Sequence, residues 1–316
     1  MDDVLSGLLQ DVCAQGALFD QSVVNPPWSL RFLDQAPLSL LTMLSGDAWL
    51  TPDDGAPMLL RQGDVAIVVG PEPYTVADAP DTPALALLDD DGWTTPDGMP
   101  ASEGALPMYG PGEPDTTDAD AVLLKSTYPV RGNVSERVLT ALPRLVLVPA
   151  APDGCLPLTM IEKELRKDTP GRQVVLDRLL DLLLLSSLRE WFELPQAQAP
   201  AWYRAHHDPV VGQALKLIHG DPARPWTVAS LAAEAGISRA RFAQRFNDIV
   251  GQPPMAYLTE WRICRAADLL ARTDATLETV SRQVGYTNAY ALSVAFKRTL
   301  GIRPTEHRAS ARAALL

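Results

Sequence analysis

Two stretches decide the fold: residues 226–254, WTVASLAAEAGISRARFAQRFNDIVGQPP, and residues 275–304, ATLETVSRQVGYTNAYALSVAFKRTLGIRP. They are one pattern written twice. Thr227 to Ala232 aligns with Thr276 to Ser281, and Ala235-Gly236-Ile237 with Val284-Gly285-Tyr286, at an offset of 49. Phe242, Phe246, Gly251 and Pro254 recur 50 positions later as Leu292, Phe296, Gly301 and Pro304, so the second turn is one residue longer. Each copy reads as a short helix, a glycine turn and a second helix. Thr227 and Thr276 are expected to cap the first helices, and Ser238 and Asn288 the second, because a side-chain oxygen there accepts from otherwise unpaired backbone N–H groups. Gly236 and Gly285 stand where the first helix must stop, in a left-handed conformation that glycine takes without strain. Phe242 and Phe246 are four residues apart, as are Leu292 and Phe296, so each pair shares one buried helix face.

That geometry is a helix-turn-helix, in which the second helix enters the major groove of DNA. A lone helix pair with a glycine turn is equally often a plain structural hairpin. Two copies, each with basic residues on the outer face of its second helix, favour nucleic acid. With Phe242 and Phe246 inward, the first copy (about 227–250) offers Ser238, Arg239, Ala240, Arg241, Gln244, Arg245 and Asn247. Gln pairs with adenine, and Arg with guanine or phosphate. The second copy (about 276–300) offers Asn288, Ala289, Tyr290, Ser293 and Val294, then Lys297 and Arg298. It is poor in bidentate readers, so phosphate grip and methyl contacts are expected there. The helix between them, about Pro254 to Leu270, turns Leu258, Trp261 and Leu269 inward and should space the copies at about one DNA turn, ~34 Å.

Working outward, 316 residues exceed one ordinary core, and two domains are expected, 1–200 and 208–310. Charge divides the same way. Met1 to His207 carry 13 Lys+Arg against 30 Asp+Glu, and Asp208 to Leu316 carry 14 against 9. The whole chain is at -12, yet its back half is basic, so only that half is suited to a polyanion.

The front half reads as an α+β unit: a barrel over about 20–130, then helices over about 134–194. Leu38–Leu44, Ala48–Leu50, Met58–Leu60 and Val65–Val69 are short strands separated by turns at Ser45-Gly46-Asp47, Asp53-Asp54-Gly55 and Gln62-Gly63-Asp64. Residues 89–120, rich in Asp, Gly and Pro, read as a long acidic loop. Ala121–Leu124 is strand-like, and Leu145–Val148 is another short apolar run. Helices are expected at 157–169 and 172–194. The second is apolar on more than one stripe and should be buried on two sides, against its own domain and, on a second reading, against a partner subunit. Leu194 to Pro200 reads as a linker.

The back half resembles the AraC/XylS family of bacterial regulators from about Pro209 to Arg308. The resemblance is carried by Val284-Gly285-Tyr286, Ala295-Phe296-Lys297-Arg298, Gly301, Pro304 and Arg308, and by Phe242, Phe246, Val250-Gly251, Pro254-Met255, Tyr257-Leu258 and Trp261-Arg262. It implies binding of double-stranded promoter DNA by both copies, as a homodimer on repeated half-sites, with RNA polymerase as a partner if the regulator activates. Val294 departs from the family, where an arginine is frequent. More loosely, Pro27–Phe32, Gly63-Asp64-Val65 and Tyr74 resemble the cupin-type sensor domain joined to some of these regulators. Cupin enzymes hold a metal near such a Gly-Asp turn. Here Tyr74 takes a usual histidine position, and His206, His207, His219 and His307 all lie outside the barrel, so no metal or other cofactor is expected.

Four readings follow. In the first, a small effector binds in the barrel among Trp28, Phe32, Trp49 and Tyr74 and biases the DNA-binding half. In the second, Cys13 and Cys155 sense oxidants. The third is a cupin-class enzyme, opposed by the missing histidines and by the lack of any nucleophile–base constellation. The fourth is an interaction protein whose helix pairs are scaffolding. The first is favoured, and no enzymatic activity is expected. Three unclustered cysteines (Cys13, Cys155, Cys264) make no disulfide framework and fit the cytoplasm. The acidic start, Asp2-Asp3, lacks the basic region of a signal peptide. Leu182–Leu185 is far too short to span a membrane.

Overall fold

The computed structural model describes residues 20–24, 26–89, 92–99, 121–128, 139–140, 142–167, 169–194, 197 and 199–313. They fall into two compact units, one of 20–128 with 142–197 and the other of 139–140 with 199–313.

The first unit is built on eleven described strands: β1 Asp20–Val24, β2 Ser29–Phe32, β3 Leu38–Ser45, β4 Ala48–Pro52, β5 Met58–Leu60, β6 Val65–Val69, β7 Tyr74–Ala77, β8 Ala86–Asp89, β9 Gly92–Thr94, β10 Ala121–Thr127 and β11 Leu145–Val148. They form a five-stranded sheet, β1-β10-β3-β6-β11, and a six-stranded sheet, β5-β4-β7-β2-β8-β9. All pairings between neighbouring strands are antiparallel except β2 with β8. The inner faces of both sheets share one core that includes Trp28, Leu30, Phe32, Leu41, Met43 and Leu50. β3 shows no alternation of buried and exposed residues, and even its Ser39 and Thr42 are buried, because it is covered on both faces. Helix α2, Arg172–Glu193, lies with α1, Leu156–Leu165, in the same unit. The Tyr128 hydroxyl donates to the Leu180 carbonyl of α2 at 2.9 Å, joining β10's end to that helix.

Two strands depart from the sequence reading. β11 lies inside the stretch expected to be helical and pairs with β6, Leu145 opposite Val68 and Val148 opposite Val65. Its four residues alternate half-buried and buried, the period-two signature of an edge strand. β9 lies inside the stretch read as a loop and forms a hairpin with β8. Residues 90–91 and 100–120 of that stretch are outside the described residues. Helix α2 also keeps one side open: Val174, Val175 and Leu182 are exposed. Burial on two sides therefore does not hold within a single chain.

The second unit is helical: α3 Ala201–Arg204, α4 Val211–Gly220, α5 Val228–Glu234, α6 Arg239–Val250, α7 Pro254–Arg272, α8 Leu277–Gln283, α9 Ala289–Leu300 and α10 Pro304–Ala313. The long α7 is central, touching α6, α8, α9 and α10. Its Tyr257 meets Phe246 of α6 at 5.9 Å, and its Trp261 stacks on His219 of α4 at 4.0 Å. On the other side Ile263, Ala266, Ala267 and Leu270 pack with Val280, Leu292 and Phe296 of α8 and α9. No described helix is long and apolar enough to cross a membrane.

Candidate nucleic-acid interface

Each helix-turn-helix is assembled from local chemistry before any tertiary contact. Thr227 accepts from the Ser230 N–H, and Ser230 reaches back to the Thr227 N–H, a reciprocal cap that starts α5. Thr276 accepts from the Thr279 N–H and starts α8. Gly236 and Gly285, at φ 67° and 83°, turn the chain between the paired helices. Ser238 accepts from the Arg241 N–H and Asn288 from the Ala291 N–H, starting α6 and α9. Gly251 and Gly301 then end those helices in the left-handed conformation. Phe242, Phe246, Leu292 and Phe296 are fully buried. The inner faces of both copies are thus fixed, and with them the outer faces.

On α6 the outer face shows Ser238, Arg239, Ala240, Arg241, Gln244 and Asn247, all exposed. Arg239 and Arg241 make no ion pair among the described residues. Their guanidinium forks face water in a chain of net charge -12. Arg245 departs from expectation. Its guanidinium turns onto Asp208, with Nε at 2.9 Å and Nη2 at 2.6 Å from one carboxylate oxygen. The same carboxylate accepts from the N–H groups of Val210 and Val211. Burial opposes the charge on Asp208, but Arg245 and those amides outweigh it and hold the carboxyl below its ordinary range. A fork so engaged is not free for a base, so Arg245 is better placed to orient α6 than to read DNA.

On α9 the character changes. Tyr290 is 80% exposed and Val294 52% exposed, one helical turn apart. Ala289 and Ser293 are half-buried, and the Ser293 hydroxyl donates to the Ala289 carbonyl at 2.8 Å. Asn288 has its side-chain oxygen committed to the cap. Lys297 and Arg298 are exposed and line a cleft of about 600 Å³ together with Ser293, Val294 and Arg303. Arg303, just before α10, is a cation the sequence reading left out. It stands between the matched Gly301 and Pro304, where the first copy has Pro253, so comparing the two copies gives it no counterpart.

The barrel brings together three of the four aromatic residues expected to line an effector site. Trp28, Phe32 and Tyr74 are all buried in its core, with the Phe32 and Tyr74 rings stacked at 5.0 Å. Trp49 is not among them. Its neighbours Ala48 and Leu50 point into the core, so the period of a strand turns Trp49 outward. Sequence reading also missed Trp93, edge-on to Phe32 at 5.8 Å, and the buried Lys125, ion-paired with Asp34 and 4.8 Å from the centre of the Phe32 ring. The Tyr74 hydroxyl is buried and makes no hydrogen bond of normal length. Burial pushes its pKa up, against the pull of the Ser39 hydroxyl nearby. Cys155 is half-buried at the start of α1, and Cys13 lies outside the described residues.

With this geometry in hand, comparison with known proteins places both halves. A family profile described as Cupin matches residues 3–193, and one described as Helix-turn-helix domain matches residues 231–310. A Streptomyces lividans protein described as an AraC-like transcription regulator is 32% identical over 311 residues, covering 97% of this chain and 98% of its own. A Streptomyces antibioticus protein of the same description is 31% identical over the same shares. The HTH-type transcriptional regulator AlkR of Acinetobacter baylyi is 27% identical over 317 residues, 97% of this chain and 99% of its own.

Proposed function

Because this chain belongs to the AraC-like, DNA-binding transcription regulators, its cupin domain followed by a helix-turn-helix domain, we propose that its two recognition helices divide the work unevenly on promoter DNA. Helix α6 reads base edges through Gln244 and holds the backbone through Arg239 and Arg241. Helix α9 presses Tyr290 and Val294 against thymine methyl groups while Lys297 and Arg298 hold phosphates. The observation that carries this reading is the pair of outer faces: closely similar scaffolds, with free cations and an amide on one and exposed apolar side chains on the other.

The cupin domain supplies the signal in this reading. A small effector among Trp28, Phe32 and Tyr74 would give the buried Tyr74 hydroxyl a partner of better geometry than the nearby Ser39 hydroxyl, since a poorly satisfied buried hydroxyl is costly. Binding shifts the protein's state only if the effector favours one state over another. A homodimer is supported by the apolar residues left exposed on α1 and α2, Leu156, Met160, Val174, Val175 and Leu182. RNA polymerase is the protein partner wherever the regulator activates. The whole is a cytoplasmic regulator rather than an enzyme.

The test is the double variant Arg239→Glu/Arg241→Glu, titrated against specific and random duplexes at several salt concentrations. Binding should weaken on both. The slope of log K against log salt should fall by about two, close to one for each phosphate no longer held. An unchanged slope would remove these arginines from the interface.

A further inference from the structure

The two helix-turn-helix turns are built alike but sit in different surroundings. A methyl group at Gly236 would meet nothing within 4 Å. One at Gly285 would lie 2.7 Å from Nη2 of Arg262, 2.8 Å from the carbonyl oxygen of Ala223 and 2.9 Å from its Cα. The second turn therefore presses against the loop that precedes the first copy. Arg262 sits at that junction. It projects from the central helix α7 and donates from Nε to the Pro222 carbonyl at 2.7 Å and from Nη2 to the Arg224 carbonyl at 2.9 Å. On its other side the Tyr286 ring, next to Gly285, has its centre 6.0 Å from the guanidinium carbon. The loop is itself tied to the first copy, since Arg224 pairs with Glu234 of α5 at 3.0 Å and stacks on Trp226.

We propose that Arg262, seated against the side-chain-free Gly285, is a positioning residue that locks the first helix-turn-helix to the second and so sets the spacing between DNA boxes that this protein accepts. A planar guanidinium suits this junction because it spans two carbonyls of one loop while lying over an aromatic ring. A lysine offers a single point donor and cannot hold both carbonyls in that geometry. Arg262 is half-buried on α7, away from both outer faces, so it acts through the placement of α6 and α9 rather than by touching DNA. The inference rests on the proposal that both copies bind one duplex, but the lock itself can be observed without DNA.

The experiment compares Arg262→Lys and Gly285→Ala with Gly236→Ala in the full-length protein. Both glycine variants introduce a side chain at a left-handed turn, and only Gly285→Ala also crowds the junction. Amide hydrogen exchange is followed first, without DNA. Arg262→Lys and Gly285→Ala should speed exchange in both 222–226 and 284–287, whereas Gly236→Ala should leave those segments protected. Affinity is then measured on duplexes whose boxes are moved apart one base pair at a time. The unaltered protein should show one preferred spacing. Arg262→Lys and Gly285→Ala should lose about tenfold at that spacing, little elsewhere, and keep the salt slope, the scale expected when hydrogen bonds to a charged group are lost. Protection unchanged in Arg262→Lys, or an equal loss at every spacing, would overturn the lock. Coupled exchange without any DNA binding would leave the lock standing and remove the proposed function instead.

Discussion

The two recognition helices share a scaffold and differ in what they show to solvent. Both α6 and α9 run for twelve residues, begin at a capping side chain and end at a left-handed glycine. Both bury a pair four residues apart. Yet α6 exposes Arg239, Arg241 and Gln244, while α9 exposes Tyr290 and Val294. The inner face of a helix-turn-helix is constrained by packing, and the outer face only by what it meets. A duplicated motif can therefore keep its fold while its copies diverge in the side chains they expose.

The largest expected effect breaks the shared part. Phe246→Ala and Phe296→Ala each remove a fully buried ring and should each destabilise the helical unit by about 3–5 kcal/mol. Chemical denaturation of both variants should give losses of similar size. A large loss in one and a small loss in the other would mean that the scaffolds are not equivalent. A smaller effect sharpens the unshared part. Gln244→Ala should narrow the gap between specific and random DNA by about 1–3 kcal/mol. Tyr290→Ala should lower affinity on both and narrow that gap by less than Gln244→Ala does, because a thymine methyl contact discriminates less than a bidentate pair. Competition binding on the two kinds of duplex separates these outcomes, and a matching loss of discrimination in both variants would refute the division of work.

The smallest effect concerns the ion pair that orients α6, for which α9 has no counterpart among the described residues. Asp208 has its folded pKa depressed below 3.8, so its pairing stabilises the protein above that pH and is lost as the pH falls through the folded value. Asp208→Asn should therefore melt at a lower temperature than the unaltered protein near pH 6, and the gap should close as the pH falls through the depressed folded value. A gap that stays constant with pH would show that the carboxylate charge is not what orients the helix.

Most of the helical unit is legible in the sequence because it is written locally. Caps, glycine stops and the four-residue spacing of Phe242 and Phe246 act within a turn or two of chain, and each stands where the residues place it. What the sequence hides lies across long separations. Arg245 finds Asp208 from 37 residues away and Lys125 finds Asp34 from 91, separations over which composition carries no pairing signal. Aromatic character does not fix strand register, so it puts Trp49 on the wrong face. Only Ala48 and Leu50, packed in the core, show which way it points. β11 is four residues long, too short to tell from an apolar piece of helix until β6 is seen to pair with it. The crowding at Gly285 has no local signal either, since Gly236 reads the same in sequence and stands in the open.

The central claim is that one chain lays two unlike helices against the same side of a duplex. Hydroxyl-radical footprinting of the full-length protein on a selected site tests it most directly. Two protected patches should appear on one face, about 10–10.5 base pairs apart. Protection should be strongly sensitive to base changes under α6 and only weakly sensitive, through thymine methyl groups, under α9. A single patch, or two patches that depend equally on the bases beneath them, would contradict the account.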